Sequence, residues 1–339
     1  MAPPELMEDL VGEILLRLPP DEPEHLFRAA LVCKPWLRIL TNPEFGRRYR
    51  SFHGAPPLLG LLHRLTALQG DPVPRFASTT SMPDFPHPSS GGRRTRPLDC
   101  RHGRVLVHML REKIMSYLVW DPVTGDRHAV PKPTIHWLIH NAGVFCAADG
   151  CDHLDCHGGP FRVVFMATDD HDLLVKPTRA AVIRDEIYFT LRWGHAIVKY
   201  DGGNNCLSMI DPPPHNAYGI SLMVMDDSSL GFVCIEGCSL HLWSRKVNSK
   251  GSAEWVQCQV IDLKTVIPVI DPGQVPSVVG SAEGVGAIFI STDAGLFTIE
   301  LKSGRWRKLD EPGVYFSVLP YMSFYTPDRC RLLSLANMN

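Results

Sequence analysis

Helical spacing of apolar residues is confined to the first 53 residues of this 339-residue chain, and this constrains the fold more than any other feature. Between residues 6 and 18 the apolar positions follow the spacing i, i+4, i+5, i+8, i+9 and i+12 of one helical face. They are Leu6, Leu10, Val11, Ile14, Leu15 and Leu18. Pro3 and Pro4 precede this segment, and Pro19 and Pro20 follow it. Because proline is tolerated at a helix start but not in its interior, the pattern predicts one amphipathic helix.

Further short helices are predicted before residue 53. Pro23 to Cys33 and Pro35 to Leu40 each place apolar residues on one side, and Asn42 supplies a cap for a last helix that runs through Phe52. The result is a bundle of three to four short helices with fewer than 55 residues, a size at which a lone core is marginal.

One apolar face of this bundle is therefore expected to be buried against something outside the bundle. The residues expected to contribute to it are Leu10, Ile14, Leu15, Val32 and Trp36. Either another protein covers this face, or the rest of the chain does, and residue spacing alone leaves both alternatives open.

The remainder of the chain has a different composition. Residues 54–97 contain six prolines after Gly70 together with many serines and glycines, which predicts a linker or long loop. Beyond Leu98, short strand-like runs alternate with turn signals.

The strand-like region has an approximate period. Four similar strand-to-turn junctions, at Trp120, Tyr200, Trp243 and Leu301, are 80, 43 and 58 residues apart. These spacings are close to one or two multiples of the roughly 40 to 50 residues of a propeller blade. The fold class predicted is therefore α+β and multidomain, a small helical bundle followed by a degenerate β-propeller, although a β-sandwich would also give regularly spaced short strands.

Charge and apolar patterning exclude several function classes. With 34 Lys plus Arg against 36 Asp plus Glu, no general attraction to nucleic acid or anionic membrane is expected. Apolar runs fall short of the roughly 20 residues that span a bilayer, and the acidic residues Glu5, Glu8 and Asp9 argue against a signal peptide. These features predict a cytoplasmic or nuclear protein with no nucleic-acid or membrane partner.

The densest polar cluster is a run of cysteines, histidines and aspartates between residues 146 and 157. Its members are Cys146, Cys151, Asp152, His153, Asp155, Cys156 and His157. Their spacing lacks the close pairs typical of structural zinc sites, so the cluster is interpreted as a turn-rich loop and no metal is predicted. Because no nucleophile elbow and no phosphate-binding loop are found, no catalytic residue and no cofactor are predicted either.

The N-terminal bundle resembles a known family. The segment from Leu6 to Pro19, followed by residues 26–36 with Val32-Cys33-Lys34-Pro35-Trp36, looks like an F-box over about residues 4 to 50. The segments at 156–161, 207–213 and 292–301 resemble the large F-box group of grasses, in which a propeller-like region follows the box. Relative to that pattern, the stretch between Phe165 and Ala181 is short by about one strand pair, which implies an incomplete blade.

The resemblance implies a non-catalytic substrate adaptor. F-box helices bind the Skp adaptor subunit of a cullin-RING ubiquitin ligase, and the C-terminal domain captures the target protein. The positions that match the box and would face the adaptor or shape the bundle are Leu10, Ile14, Leu15, Leu18, Pro19, Leu26, Val32, Cys33 and Trp36. The implied domains are 4–53 for the F-box, 54–97 for the linker and 98–335 for the substrate-receptor propeller, whose binding residues are unknown.

Two other function classes are consistent with a propeller. One is a carbohydrate-binding module with a helical anchor, in which Trp137, Trp193 or Trp243 would stack on sugar rings. The other is a propeller enzyme with a site at the central channel.

Overall fold

Four helices form the N-terminal part of the computed structural model, which describes residues 7–65, 76–85, 95–111, 114–134, 138–168, 179–191, 194–217, 220–249, 251–271, 273–282, 284–313 and 315–328. The helices are α1 (Glu8–Leu15), α2 (Glu24–Ala30), α3 (Lys34–Leu40) and α4 (Pro43–His53). The bundle of three to four helices predicted from the sequence has four.

The helix ends follow from local sequence. The Asn42 side chain accepts a hydrogen bond from the backbone N–H of Glu44 at 2.9 Å, which confirms the cap predicted for α4. Gly54, with φ of 72°, ends α4 in the left-handed conformation that glycine adopts without steric cost. The first helix ends at Leu15, earlier than predicted, because Leu18 N–H bonds to the Leu15 carbonyl in a tighter turn before the prolines.

The helices pack around a shared apolar core. It consists of Val11, Leu15, Leu16, Leu26, Ala29, Ala30, Leu40, Phe45 and Tyr49, together with Phe324 from the C-terminal end of the described chain. The propeller region therefore covers part of the bundle.

The rest of the chain is almost entirely β. The strands are β1 (Leu58–Leu65), β2 (Phe76–Ser78), β3 (Thr95–Arg101), β4 (Arg104–Arg111), β5 (Ile114–Trp120), β6 (Arg127–Val130), β7 (Leu138–Cys146), β8 (Phe161–Thr168), β9 (Ala181–Ile183), β10 (Glu186–Leu191), β11 (Ala196–Asp201), β12 (Cys206–Ile210), β13 (Ile220–Val224), β14 (Leu230–Glu236), β15 (Ser239–Val247), β16 (Ala253–Asp262), β17 (Ser277–Ala282), β18 (Ala287–Thr292), β19 (Gly295–Glu300), β20 (Trp306–Asp310) and β21 (Tyr315–Met322).

Antiparallel pairing arranges these strands as a β-propeller. Within the described residues, four sheets have four strands each, β3–β6, β9–β12, β13–β16 and β17–β20, and a three-stranded sheet has the order β2-β1-β21. These five sheets are the blades of the propeller. The two-stranded sheet of β7 and β8 lies between the β3–β6 blade and the β9–β12 blade, and β7 contacts β3. The C-terminal strand β21 contacts β17 on one side and β3 on the other, so the first and last strands of the propeller close the ring together.

The prediction of a linker over residues 54–97 is wrong in part. Strand β1 pairs with β21 from Leu58 to Leu65, and β2 pairs with β1, so this segment supplies two strands of a blade. The sequence prediction missed these strands because it rested on the proline and serine content of the segment. Composition gives no information about the pairing of β1 with β21, which lies far along the chain. We therefore place the start of the propeller at Leu58.

The sheet of β7 and β8 lies where the sequence predicts an incomplete blade. In the part of the chain that the structure describes, this sheet has two strands. The strand pair expected to be missing between Asp170 and Pro177 falls on residues 169–178, which lie outside the described residues.

A buried ion cluster joins this sheet to its neighbours. Asp99 on β3 is fully buried, with Arg179 Nε 3.4 Å from Oδ1 and Arg101 Nε 3.7 Å from Oδ2. Asp99 Oδ2 also accepts the backbone N–H of Val144 on β7 at 2.9 Å, and Arg101 donates to the Ala180 carbonyl at 2.5 Å. The Asp99 carboxylate thus links β3 to β7 and to Arg179, which lies two residues before β9.

The contact between β17 and β21 gives a test of ring closure. A Cβ atom on Gly280 would overlap the Val318 carbonyl oxygen of β21. We expect Gly280→Ala to destabilise the chain by about 1–3 kcal/mol in urea unfolding, because a backbone atom must move. Gly12→Ala is the matched control, since nothing lies within 4 Å of its Cβ, and it should stabilise α1 by about 1 kcal/mol. Equal stability of the two variants would contradict this account of ring closure.

None of the helices in the described ranges combines the length and apolar character that crossing a membrane requires.

Candidate partner interface

An apolar stripe on α1 faces solvent. Met7, Leu10 and Ile14 are spaced i, i+3 and i+7, so they lie on one side of the helix. Leu10 is 46% and Ile14 52% exposed, whereas Val11 and Leu15 on the other side are buried in the bundle core. The helix is therefore apolar on two sides, and the described part of the chain covers only one.

The turn between α2 and α3 also exposes apolar side chains. Leu31 is 76% and Val32 64% exposed, and Cys33, the N-cap residue of α3, is exposed as well. Large apolar side chains clustered on the surface of a small domain mark a site that a partner covers. We call the exposed side chains of Met7, Leu10, Ile14, Leu31 and Val32 the apolar face of the bundle.

The nine residues that the sequence assigned to adaptor binding divide into three groups. Leu10, Ile14, Pro19, Val32 and Cys33 are exposed, Leu18 and Trp36 are half-buried, and Leu15 and Leu26 are buried in the bundle core. Met7 and Leu31 belong to the apolar face but were not among the predicted residues. Met7 lies three residues before Leu10 and so continues the helical spacing of α1 toward the N-terminus. This spacing is the sequence feature that could have identified it.

Other residues of the bundle pack on the segment that follows β21. The ring of Tyr49 on α4 meets Phe324 edge-on at 6.1 Å, and Phe27 on α2 lies 4.8 Å from Tyr325. The Tyr49 hydroxyl donates to the Leu18 carbonyl at 2.8 Å, and burial raises its pKa above the usual range, so it remains a neutral donor. The bundle thus packs on the propeller region through these residues, and its apolar face remains exposed to solvent.

A buried arginine fixes this contact. Arg50 on α4 is 3% exposed, and its guanidinium lies 3.0 Å from Asp155 Oδ2 and 3.5 Å from Asp328 Oδ2. Asp155 belongs to the loop between β7 and β8, and Asp328 follows β21. Two separate parts of the propeller region therefore bind the same side chain of the bundle.

Replacing this arginine should weaken the contact between the bundle and the propeller. We expect Arg50→Leu to lower the free energy of unfolding by about 2 kcal/mol, because two carboxylates that are largely buried lose their cation. Arg48→Leu is the control, since Arg48 pairs with Glu13 at 2.5 Å on the surface and should cost less than about 1 kcal/mol. Urea unfolding measures both, and equal effects would contradict the assignment of Arg50.

The cysteine and histidine run between residues 146 and 157 separates into two parts. His157 leaves the cluster, because its Nδ1 lies 2.5 Å from Asp121 Oδ2 and its Nε2 lies 2.9 Å from Ser323 Oγ. Cys146, Cys151, His153 and Cys156 instead come together. The sequence did not indicate this grouping, because no two of these cysteines are close in sequence. The path of the loop brings the side chains together.

A neighbouring histidine supports the same loop. The ring of His102 stacks on His153 with 4.0 Å between centroids and an interplanar angle of 3°. Burial, followed by the positive charge of Arg101, lowers the pKa of His102 to about 2, so this ring is neutral. Its Nδ1 accepts the backbone N–H of Cys146 at 3.4 Å, which requires an unprotonated nitrogen.

The carbohydrate-binding alternative named Trp137, Trp193 and Trp243, of which Trp243 lies in the described residues and gives it no support. Trp243 is half-buried and packs against the apolar cluster of β13 and β14. Trp137 and Trp193 lie outside the described residues.

Comparison with known proteins identifies the helical part. The family model described as F-box domain matches residues 4–48, the segment that contains α1, α2, α3 and the apolar face. This chain contains an F-box domain. The resemblance found in the sequence is thereby confirmed for the domain.

Similarity of this chain to solved structures is low. TolB from Acinetobacter baumannii matches at 14% identity over 80% of this chain and 69% of that chain, with a TM-score of 0.40. A streptogramin B lyase structure matches at 14% identity over 64% and 73%, with a TM-score of 0.34, and a chain of a nidogen/laminin complex at 11% identity over 77% and 97%, with a TM-score of 0.35. Similarity at this level carries no inference about activity or ligand. No curated protein matches the chain.

Proposed function

We propose that this F-box chain is the substrate-recognition subunit of an SCF-type ubiquitin ligase, composed of Skp adaptor, cullin and F-box protein. The observation that carries the proposal is the apolar face, which lies within the F-box match and is left uncovered by the propeller. Helices that present such a face are recognised by a groove or helix pair on a partner. The Skp adaptor is the partner that an F-box implies.

The predicted adaptor-binding residues take different roles in this proposal. Direct contact is assigned to the exposed side chains Leu10, Ile14, Pro19, Val32 and Cys33, with Leu18 and Trp36 at the border. Leu15 and Leu26 act indirectly, because they are buried and hold α1 and α2 in position.

The propeller is proposed to bind the target protein. Loops between its strands would supply the contacts. An adaptor accelerates ubiquitin transfer by holding two reactants near each other, so no catalytic residue and no cofactor for catalysis are assigned. We further propose membership of the grass F-box group, on the sequence resemblance given above, and action in the cytoplasm or nucleus, with no nucleic-acid or membrane partner.

Direct binding tests the proposal. Purified full-length chain is mixed with purified Skp adaptor, and the mixture is analysed by size-exclusion chromatography and isothermal titration calorimetry. We expect a complex with one adaptor per chain and a negative heat-capacity change on binding, because apolar surface is buried. Separate elution of an intact, folded chain and adaptor would contradict the proposed function.

A further inference from the structure

The loop between β7 and β8 is unusually long for a hairpin. Strand β7 ends at Cys146 and β8 begins at Phe161, and these two residues are paired across the hairpin. The intervening residues 147–160 contain no helix or strand. Hairpin loops usually have about 2–5 residues, and loops beyond about 12 are commonly functional. Its backbone hydrogen bonds include Ala147 N–H to the Pro160 carbonyl and Gly159 N–H to the Cys156 carbonyl, so side-chain contacts are expected to hold the residues between.

Four metal-binding side chains meet within this hairpin. The ligand atoms of Cys146, Cys151, His153 and Cys156 all lie within 4.8 Å of one another. Cys151 Sγ is 3.7 Å from Cys156 Sγ, and Cys156 Sγ is 3.7 Å from His153 Nδ1.

The two separations of 3.7 Å match those between the ligands of a tetrahedral zinc ion. Zinc binds sulfur at about 2.3 Å and imidazole nitrogen at about 2.0–2.1 Å, so ligand atoms in a tetrahedron are separated by about 3.5–3.8 Å. A disulfide would require about 2.05 Å between sulfurs, well below the 3.7 Å between Cys151 and Cys156. Three sulfurs and one nitrogen in this geometry favour zinc over magnesium or calcium, which take oxygen ligands.

Backbone donors point at two of the sulfurs. The N–H of Ala148 donates to Cys146 Sγ at 3.4 Å, and the N–H of His153 donates to Cys151 Sγ at 3.4 Å. In each case the donor follows the cysteine by two residues. Such hydrogen bonds stabilise the thiolate, which is the form of cysteine that binds metal.

The surroundings compensate the charge of such a centre. Three thiolates, one neutral imidazole and Zn²⁺ carry a net charge of about −1. The buried Arg104 supplies a positive charge beside the loop and donates to the carbonyl oxygens of Cys156 and Gly159, the latter at 2.8 Å. The stacked ring of His102 fixes the orientation of His153, as outer contacts do for metal-bound histidines.

We propose that Cys146, Cys151, His153 and Cys156 bind one zinc ion in a structural Cys3His site. A cleft between the β7–β8 sheet and the β9–β12 blade, lined by Cys146, Cys151 and His153, gives the ion access from solvent.

The site lies next to the contact between the bundle and the propeller. Leu154 and Asp155 are placed between the ligands His153 and Cys156. Leu154 packs on the bundle core, and Asp155 pairs with Arg50 at 3.0 Å. The zinc ion thus fixes the loop residues that hold α4.

Metal analysis of the full chain tests the site. The protein is purified under reducing conditions, and its zinc content is measured by inductively coupled plasma mass spectrometry. We expect about one zinc ion per chain, and a loss of zinc affinity of about 100-fold or more in Cys151→Ser and His153→Ala, measured by competition with a chromophoric chelator. Cys206→Ser, which removes an exposed cysteine on β12, should retain zinc at wild-type affinity.

A second measurement on the unaltered chain removes dependence on the folding of the variants. Cobalt titrated into the metal-free full chain should give the visible absorption of tetrahedral Co²⁺ with thiolate ligands, and zinc should displace it. Absence of both zinc and this absorption would overturn the proposal. So would a disulfide between Cys151 and Cys156 in the reduced preparation, or equal zinc affinity in Cys151→Ser and Cys206→Ser.

Discussion

The double variant Ile14→Asp/Val32→Asp is expected to bind the Skp adaptor about 1,000-fold more weakly than the wild type. Each aspartate would place a carboxylate in an apolar contact, at a cost of about 2 kcal/mol, and 1.4 kcal/mol corresponds to a tenfold change in affinity. Both side chains are more than half exposed in the free chain, so the fold should be unaffected. Isothermal titration calorimetry with purified adaptor measures the change.

The control for this variant places the same charge elsewhere. Leu207 on β12 is 72% exposed, and Leu207→Asp should leave adaptor affinity unchanged. Thermal unfolding of all three proteins should agree within about 2 °C, because exposed substitutions change stability little. Tight binding by the double variant, with the fold intact, would place the adaptor interface outside the apolar face.

Removal of the buried carboxylate of Asp99 should have the largest effect on stability. In Asp99→Ala the guanidinium groups of Arg101 and Arg179 lose their shared counter-ion, and the N–H of Val144 loses its acceptor. Breaking a buried ion pair from one side costs about 3–5 kcal/mol. That is a large fraction of the about 5–15 kcal/mol that keeps a typical domain folded. Urea unfolding followed by intrinsic fluorescence measures the loss.

The matched control removes an aspartate from an exposed ion pair. Asp226 lies 2.9 Å from Lys302, and both side chains are mostly exposed. Asp226→Ala should cost less than about 1 kcal/mol, because solvent screens the pair. If Asp99→Ala were as stable as Asp226→Ala, the buried cluster would not hold the neighbouring sheets together.

Local patterns in the sequence predicted the elements that local chemistry determines. The cap at Asn42 and the helical spacing before residue 53 gave the helices. Trp120, Tyr200 and Trp243 all lie on the third strand of a four-stranded blade, and Leu301 directly follows the third strand of another. The doubled spacing between Trp120 and Tyr200 arises because the two-stranded sheet lies between them.

Features that depend on distant pairing could not be predicted in this way. Strand β1 is recognisable only through its partner β21, more than 200 residues later. Spacing placed Ile14 and Leu15 on one apolar face, whereas the packed bundle buries Leu15 and leaves Ile14 exposed. Likewise, Cys146 and Cys156 are ten residues apart in sequence, and the path of the loop brings them together.

The short junction between α4 and β1 has a consequence for how a ligase built on this chain would work. Only residues 54–57 separate the two elements, two of them are prolines, and the Pro57 carbonyl accepts the N–H of Ser323 at 3.2 Å. Arg50 is a second connection between the bundle and the propeller. The propeller would therefore hold a bound target in a nearly fixed orientation relative to the F-box. Only lysines on one side of that target would then come within reach of the ubiquitin-charged enzyme, so the attachment sites would follow from the docking pose.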